Sequence, residues 1–174
     1  VGFDLYDTIR QFDEYKLDSR GLTLSMSHPF GDYWRWLVNY RVTRDKVSDI
    51  VSTVQTSLLG EEGTRVTSLV SATVVRDSRD NYLAPTKGGS VSLTGEFAGL
   101  GGDSRFVRTV ASATYFHPIW LDHILSGRVE GAYGWGWDGA PLPLFERFYL
   151  GGPNTIRGFK FRRVSPIDDT GTRI

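Results

Sequence analysis

Apolar and polar side chains alternate with a period of two in four stretches of this chain, so each stretch, if extended, carries one greasy and one polar face. In residues 21–27, Leu22, Leu24 and Met26 oppose Thr23, Ser25 and Ser27. In residues 34–42, Trp34, Trp36, Val38, Tyr40 and Val42 oppose Arg35, Asn39 and Arg41. Val91, Leu93 and Phe97 oppose Ser90, Ser92, Thr94 and Glu96, and Leu125, Val129, Tyr133 and Trp135 oppose Ser126, Arg128 and Glu130. Residues 64–75 and 105–116 alternate poorly, but their β-branched content, length and flanking turn residues predict strands there too. Residues 1–9, with Val1, Phe3 and Leu5 in phase, predict a further strand, entered partway. Helix-like spacing is confined to residues 46–59. The pattern predicts an all-β protein of about seven strands.

The greasy face could pack on a second sheet, as in a soluble sandwich, or meet lipid, as in a membrane barrel. Two features favour lipid. Trp34, Trp36, Tyr133, Trp135 and Trp137 sit near predicted strand ends on the greasy side, where an aromatic girdle would lie. The polar side carries long charges, Arg35, Arg41, Arg128 and Glu130, which suit a hydrated bore. Connector lengths agree in part: turns at residues 31–32 and 118–122 are short, while 8–20, 43–63 and 137 onward are longer or Gly-rich. The short connector 99–104 and the long one 77–88 break that alternation.

Composition removes several function classes. Acidic and basic residues number 20 each, so no net field draws nucleic acid. Without cysteine there is neither a disulfide framework nor a thiolate metal site. His28, His117 and His123 are scattered beside turns without metal-ligand spacing, and no serine lies in a nucleophile elbow. No catalytic residue, metal or cofactor is therefore expected. No apolar run approaches the ~20 residues of a spanning helix. The segment at 134–139, rich in Gly and Trp, reads as a strand rim rather than a phosphate loop. Asp77 and Arg79 are placed to pair across a turn, although an Asp-rich turn can equally bond its own backbone. The chain opens mid-strand without a leader pattern, which reads as a piece of a longer product.

The densest signal lies at residues 145–159. Gly151, Gly152 and Pro153 force a bend. Ile156, Arg157, Gly158 and Phe159 follow, a cation between two apolar anchors, as suits a loop that packs back into a cavity and offers a guanidinium to a carboxylate.

This segment resembles the signature of the BamA-type outer-membrane protein assembly factors and their wider superfamily, an Ile/Val-Arg-Gly-Phe/Tyr motif preceded by an aromatic pair and two glycines. The turn at 76–88 resembles the family's Asp-x-Arg-Asp…Pro-Thr-x-Gly turn, and residues 115–119 its Tyr-x-Pro-Ile/Leu turn. The resemblance implies an antiparallel transmembrane β-barrel in the bacterial outer membrane. Residues 1–174 would be a partial barrel domain with strands five to eleven of sixteen, and residues 138–174 part of the sixth extracellular loop. It implies that Arg157 tethers the loop inside the lumen, its main partners being acids on strands outside this chain. Inward-facing Glu130 and Glu96 are possible secondary partners.

The function so implied is folding and insertion of β-barrel proteins into the outer membrane. The partners would be unfolded outer-membrane clients, the bilayer, and assembly-complex lipoproteins held through periplasmic domains outside this chain. Alternatives are a two-partner secretion or autotransporter-assembly transporter of the same superfamily, an outer-membrane enzyme, or a soluble β-sandwich binding module. The tract at 165–171 and the Pro-Thr-Lys-Gly turn favour the first reading. Seven strands cannot close a spanning barrel alone, so this piece is expected to be inactive by itself.

Overall fold

The computed structural model describes residues 1–12, 15–49, 62–153, 155–160 and 164. Its strands are β1 (Gly2–Gln11), β2 (Lys16–Phe30), β3 (Trp34–Ser48), β4 (Gly63–Asp77), β5 (Gly88–Gly102), β6 (Phe106–Pro118) and β7 (Ile124–Gly136). Each pairs antiparallel with the next, giving one seven-stranded sheet in chain order. A 3-10 turn, Leu144–Glu146, interrupts the loop after β7. Residues 46–48 of the helix-like tract are strand, and 50–61 lie outside the described residues.

Register arranges the side chains in horizontal rows. On one face Leu5, Leu22, Val42 and Ser68 lie side by side, with Leu24, Tyr40 and Val70, then Met26, Val38 and Ala72, in the rows below. The members of these rows from β2 and β3 are residues whose alternation predicted a greasy face. That face is bare: Leu5 is 70% exposed, Leu93 54% and Val129 70%, so no second protein layer covers it among the described residues. A soluble sandwich would bury this surface. Its exposure in rows, bounded above and below by aromatics, is the lipid-facing wall of a barrel.

Two aromatic belts bound the rows. At the short-turn end Phe30 stacks on Trp34 with centroids 5.9 Å apart, and His28 lies against Trp36 at 6.3 Å. At the opposite end Tyr133 and Trp135 lie 5.4 Å apart, and Trp137 stacks on Phe97 at 5.6 Å. Trp137 also donates from Nε1 to the Ala98 carbonyl at 3.0 Å. It lies across Gly99, where a Cβ would collide with the indole. A register shift in the β4–β5 pair adjoins this site, so the indole caps the irregular stretch of the ladder.

The other face is polar and concave toward the loop. Asn39 donates to Ser71 at 3.2 Å, Thr73 meets Thr94 at 2.9 Å, and Ser92 meets Ser112 at 2.8 Å. Such cross-strand hydroxyl pairs satisfy one another and leave a wettable wall. Tyr6 lies over Gly21 to reach Thr43 Oγ1 at 2.6 Å, and a Cβ on Gly21 would come within 2.7 Å of its hydroxyl. Among the described residues, buried apolar packing forms two small clusters where the loop meets this wall. Tyr15, Leu17 and Val47 receive Phe145 and Tyr149, while Leu69, Ala98 and Phe106 receive Leu142.

The strands run further than hydrophobic alternation suggested. β1 continues to Gln11 and β2 starts at Lys16, so the connector expected over 8–20 spans only residues 12–15. β3 likewise extends past Val42 to Ser48. The physical reason is that the outward face turns charged there, with Asp7, Arg20 and Arg44 in one row and Asp18 and Lys46 in the next, while apolar Leu17 and Val47 move to the inner face. Backbone pairing persists where the apolar signal ends.

Candidate functional site

The loop after β7 folds against the concave face, and its geometry starts from the rim. Arg105 forms an ion pair with Asp138, and Trp137 N–H donates to the Arg105 carbonyl at 3.1 Å, so the chain turns inward directly at the strand end. Gly139 adopts φ +74° and lets the chain reverse. The 3-10 turn then presents Glu146 to the wall, with Phe145 beside it seated on the Tyr15 cluster.

Glu146 is the central contact. Its Oε1 accepts from Arg41 Nη2 at 2.7 Å and its Oε2 lies 2.8 Å from Arg108 Nη1. Arg108 also donates to the Glu146 carbonyl at 3.0 Å, pairs with Glu96, and stands over the Phe148 ring. Two wall guanidiniums and two carboxylates thus form one neutral chain across β3, the loop, β6 and β5. Only 6% of Glu146 is exposed. Burial pushes its carboxyl above the ordinary range while Arg41 and Arg108 pull it back. A polar cleft of about 280 Å³ adjoins the network, lined by Tyr6, Ser19, Thr43 and Asp45 among others. The chemistry is tethering: buried, bidentate and charge-matched contacts that fix a loop to a wall.

Beyond Phe148 the chain forms an excursion closed at its base, where Leu150 and Val164 exchange backbone hydrogen bonds of 3.0 and 3.1 Å. Gly151 and Gly152 are buried with φ +110° and +97°, and Pro153 is exposed beside them; Gly151 N–H donates to Thr155 Oγ1 at 2.8 Å. Ile156 is half-buried; Arg157, Gly158 and Phe159 are exposed. Phe159 N–H donates to the Ile156 carbonyl at 3.4 Å, closing a turn with Arg157 and Gly158 at its centre. Gly158 has φ +89°, the conformation a type II turn demands at its third position. A Cβ there would meet nothing within 4 Å, so conformation rather than close approach is what glycine supplies.

Arg157 makes no ion pair among the described residues. Of the two acids considered as its secondary partners, Glu96 is engaged by Arg108 and Glu130 by Arg128 at 2.6 Å. Glu146 escaped sequence reasoning. The signal was present, a single acid inside an aromatic-rich loop opposite an inward Arg41, but only the register brings Arg108 to the same spot. Asp77 and Arg79 do pair across their turn, with Arg79 Nε donating to Asp77 Oδ1 at 2.8 Å. No cluster of His, Asp and Glu suited to a metal occurs among the described residues.

A lipid-facing outer surface, a hydroxyl-lined inner surface and a loop bound to the latter define a transmembrane β-barrel wall with an infolded loop. The Omp85 superfamily domain matches residues 1–174, and the chain belongs to that superfamily. It is similar to the outer membrane protein assembly factor BamA of Nitratidesulfovibrio vulgaris, 32% identical over 176 residues, covering 99% of this chain and 22% of that protein. The BamA of Neorickettsia risticii is 31% identical, over 88% of this chain and 21% of its own length. A sorting and assembly machinery component 50 homolog of Mus musculus is 28% identical, over 94% and 35%. The fold resembles the crystal structure of BamA from Haemophilus ducreyi lacking POTRA domains 1–3, with TM-score 0.76, 16% identity and coverage of 94% of this chain and 34% of that one. The chain thus spans between about a fifth and a third of the length of these relatives.

Proposed function

We propose that this chain supplies barrel wall and an infolded loop to an outer-membrane factor that folds β-barrel proteins and inserts them into the bacterial outer membrane. The observation that carries the reading is a loop seated on the inner wall through Glu146, in a chain that matches the Omp85 superfamily domain along its length and is similar to BamA assembly factors over most of it. Its partners would be unfolded β-barrel polypeptides and the bilayer, with lipoproteins of an assembly complex reached through parts of the protein outside this chain. The work is conformational and needs no catalytic residue.

In this reading the loop carries two tethers. Glu146 holds its root to the wall, and Arg157 at the turn tip meets an acid on strands outside this chain. Support comes from the exposed position of Arg157 and from the tight turn that presents it. The test is insertion of an unfolded barrel client into lipid vesicles containing the full-length protein. The wild type should accelerate insertion. Arg157→Ala should lower the rate by about tenfold, the equivalent of 1.4 kcal/mol and well within the range of one charge-assisted contact. No acceleration by the wild type would end the functional reading. Full activity of Arg157→Ala would end only the tether.

A further inference from the structure

Above the apolar rows, the lipid-facing surface carries a cluster of cations that the tethered loop does not use. Arg20 and Arg44 are directly opposed across β2 and β3, one step above the Leu22–Val42 pair, and Lys46 lies in the next outward row. All three are exposed. Arg20 is partly neutralised by Asp7 at 3.2 Å and Asp18 at 3.6 Å. Arg44 makes no ion pair among the described residues, and Lys46 stands opposite Asp18, whose carboxylate leans to Arg20, so the cluster keeps a net positive charge. Two guanidiniums directly opposite on one face of a sheet repel each other unless an anion lies between them.

The height of the cluster selects the anion. Its end carries the two longest connectors, residues 49–62 and 137 onward, beside the short 12–15 and 103–105, whereas the other end is closed by 31–33, 119–123 and the longer turn 78–87. Barrels of this kind keep long loops outside and short turns inside. The cluster therefore stands at the headgroup level of the outer leaflet, with Leu5, Leu22 and Val42 immediately below to receive acyl chains. Guanidinium forks match phosphate oxygens bidentately, and a lysine adds a point charge.

We propose that Arg20, Arg44 and Lys46 form a binding site for the phosphate of an outer-leaflet glycolipid, whose acyl chains lie along the apolar rows beneath. The ligand class is a phosphorylated, multiply acylated saccharide lipid. Asp7 and Asp18 orient Arg20 and keep the cluster from being a bare repulsive patch.

The experiment uses the full-length protein in phosphatidylcholine nanodiscs, with bound lipid counted by native mass spectrometry. Diphosphorylated lipid A is titrated against the same lipid with its phosphates removed. The wild type should prefer the phosphorylated form, and Arg44→Gln combined with Lys46→Gln should cut its affinity about twenty-five-fold, roughly fivefold for each cation lost at a membrane surface. Heat-modifiable electrophoretic mobility confirms that the variant is folded. Equal binding of the two lipids by the wild type overturns the site whatever the variant does. So does an unchanged preference in the folded double variant. Displacement of lipid A by inorganic phosphate at matching concentration would overturn the lipid as ligand and leave a free-anion site.

Discussion

Glu146 shows how little of a tether can be read from charge alone. Its carboxylate is held by Arg41 and Arg108 from strands that are far apart in sequence, and it is nearly closed to solvent. Replacing it by glutamine keeps the shape but leaves two guanidiniums facing a neutral amide. Breaking one side of a buried ion network costs roughly 3 kcal/mol, so Glu146→Gln should free the loop root. Hydrogen exchange of residues 145–150 in the full-length protein should then rise steeply, and unchanged protection would refute the lock. Gly158 acts through conformation instead: at φ +89° an alanine is strained by about 1 kcal/mol, although no atom lies in its way. Gly158→Ala should therefore weaken function by loosening the turn around Arg157, with the Glu146 contacts intact by the same exchange measurement.

Elements were legible wherever one face met lipid and the other water. Leu22 to Met26 and Trp34 to Val42 gave away both strand and facing, because only a period of two sorts such residues so cleanly. β4 and β6 alternated poorly, since Leu69 and Phe106 turn inward to meet the loop and fill the polar phase with apolar groups. The upper halves of β1 to β3 escaped because the outward phase becomes charged while apolar Leu17 and Val47 take the inward phase, which inverts the expected alternation. Partnership within the loop was not legible at all, because it depends on cross-strand register. The turn at 78–87 was recognisable from its Asp and Pro-Thr-x-Gly spacing, and its design is local. Asp80 accepts from the Thr86 hydroxyl at 2.6 Å and from the backbone N–H groups of Thr86 and Lys87 at 2.9 and 3.1 Å. These bonds, the Thr86 hydroxyl foremost, hold its carboxyl well below the usual carboxylate range. A depressed folded value means the turn is fully braced above the ordinary Asp pKa and loosens only as pH falls through the lower one. Slow exchange of the Thr86 and Lys87 amides should thus survive mild acid and disappear in strong acid, and Asp80→Ala should abolish it at every pH.

At the scale of the molecule, one sheet separates two solvents. The outer side presents bare aliphatic rows between aromatic belts, the inner side hydroxyl ladders and a salt-bridged loop. If Trp34 and Trp135 stand at the two membrane interfaces, brominated lipids should quench both in the full-length protein, most strongly with bromines near the headgroups. Substituting each tryptophan by phenylalanine in turn assigns the signal, and quenching strongest from the bilayer centre would refute the placement.

The row of Asp7, Arg20 and Arg44 also sets a ceiling on bilayer thickness. From Trp34 to Val42 the strand rises about 26 Å, or ~20 Å along the membrane normal at an ordinary barrel tilt. A thicker bilayer could match this wall only by drawing the charged row into hydrocarbon or thinning around it, and either distortion costs free energy for every ångström of mismatch. The protein should therefore be most at ease in short-chain lipid, and the surrounding leaflet should be pinched wherever thicker lipid is imposed on it.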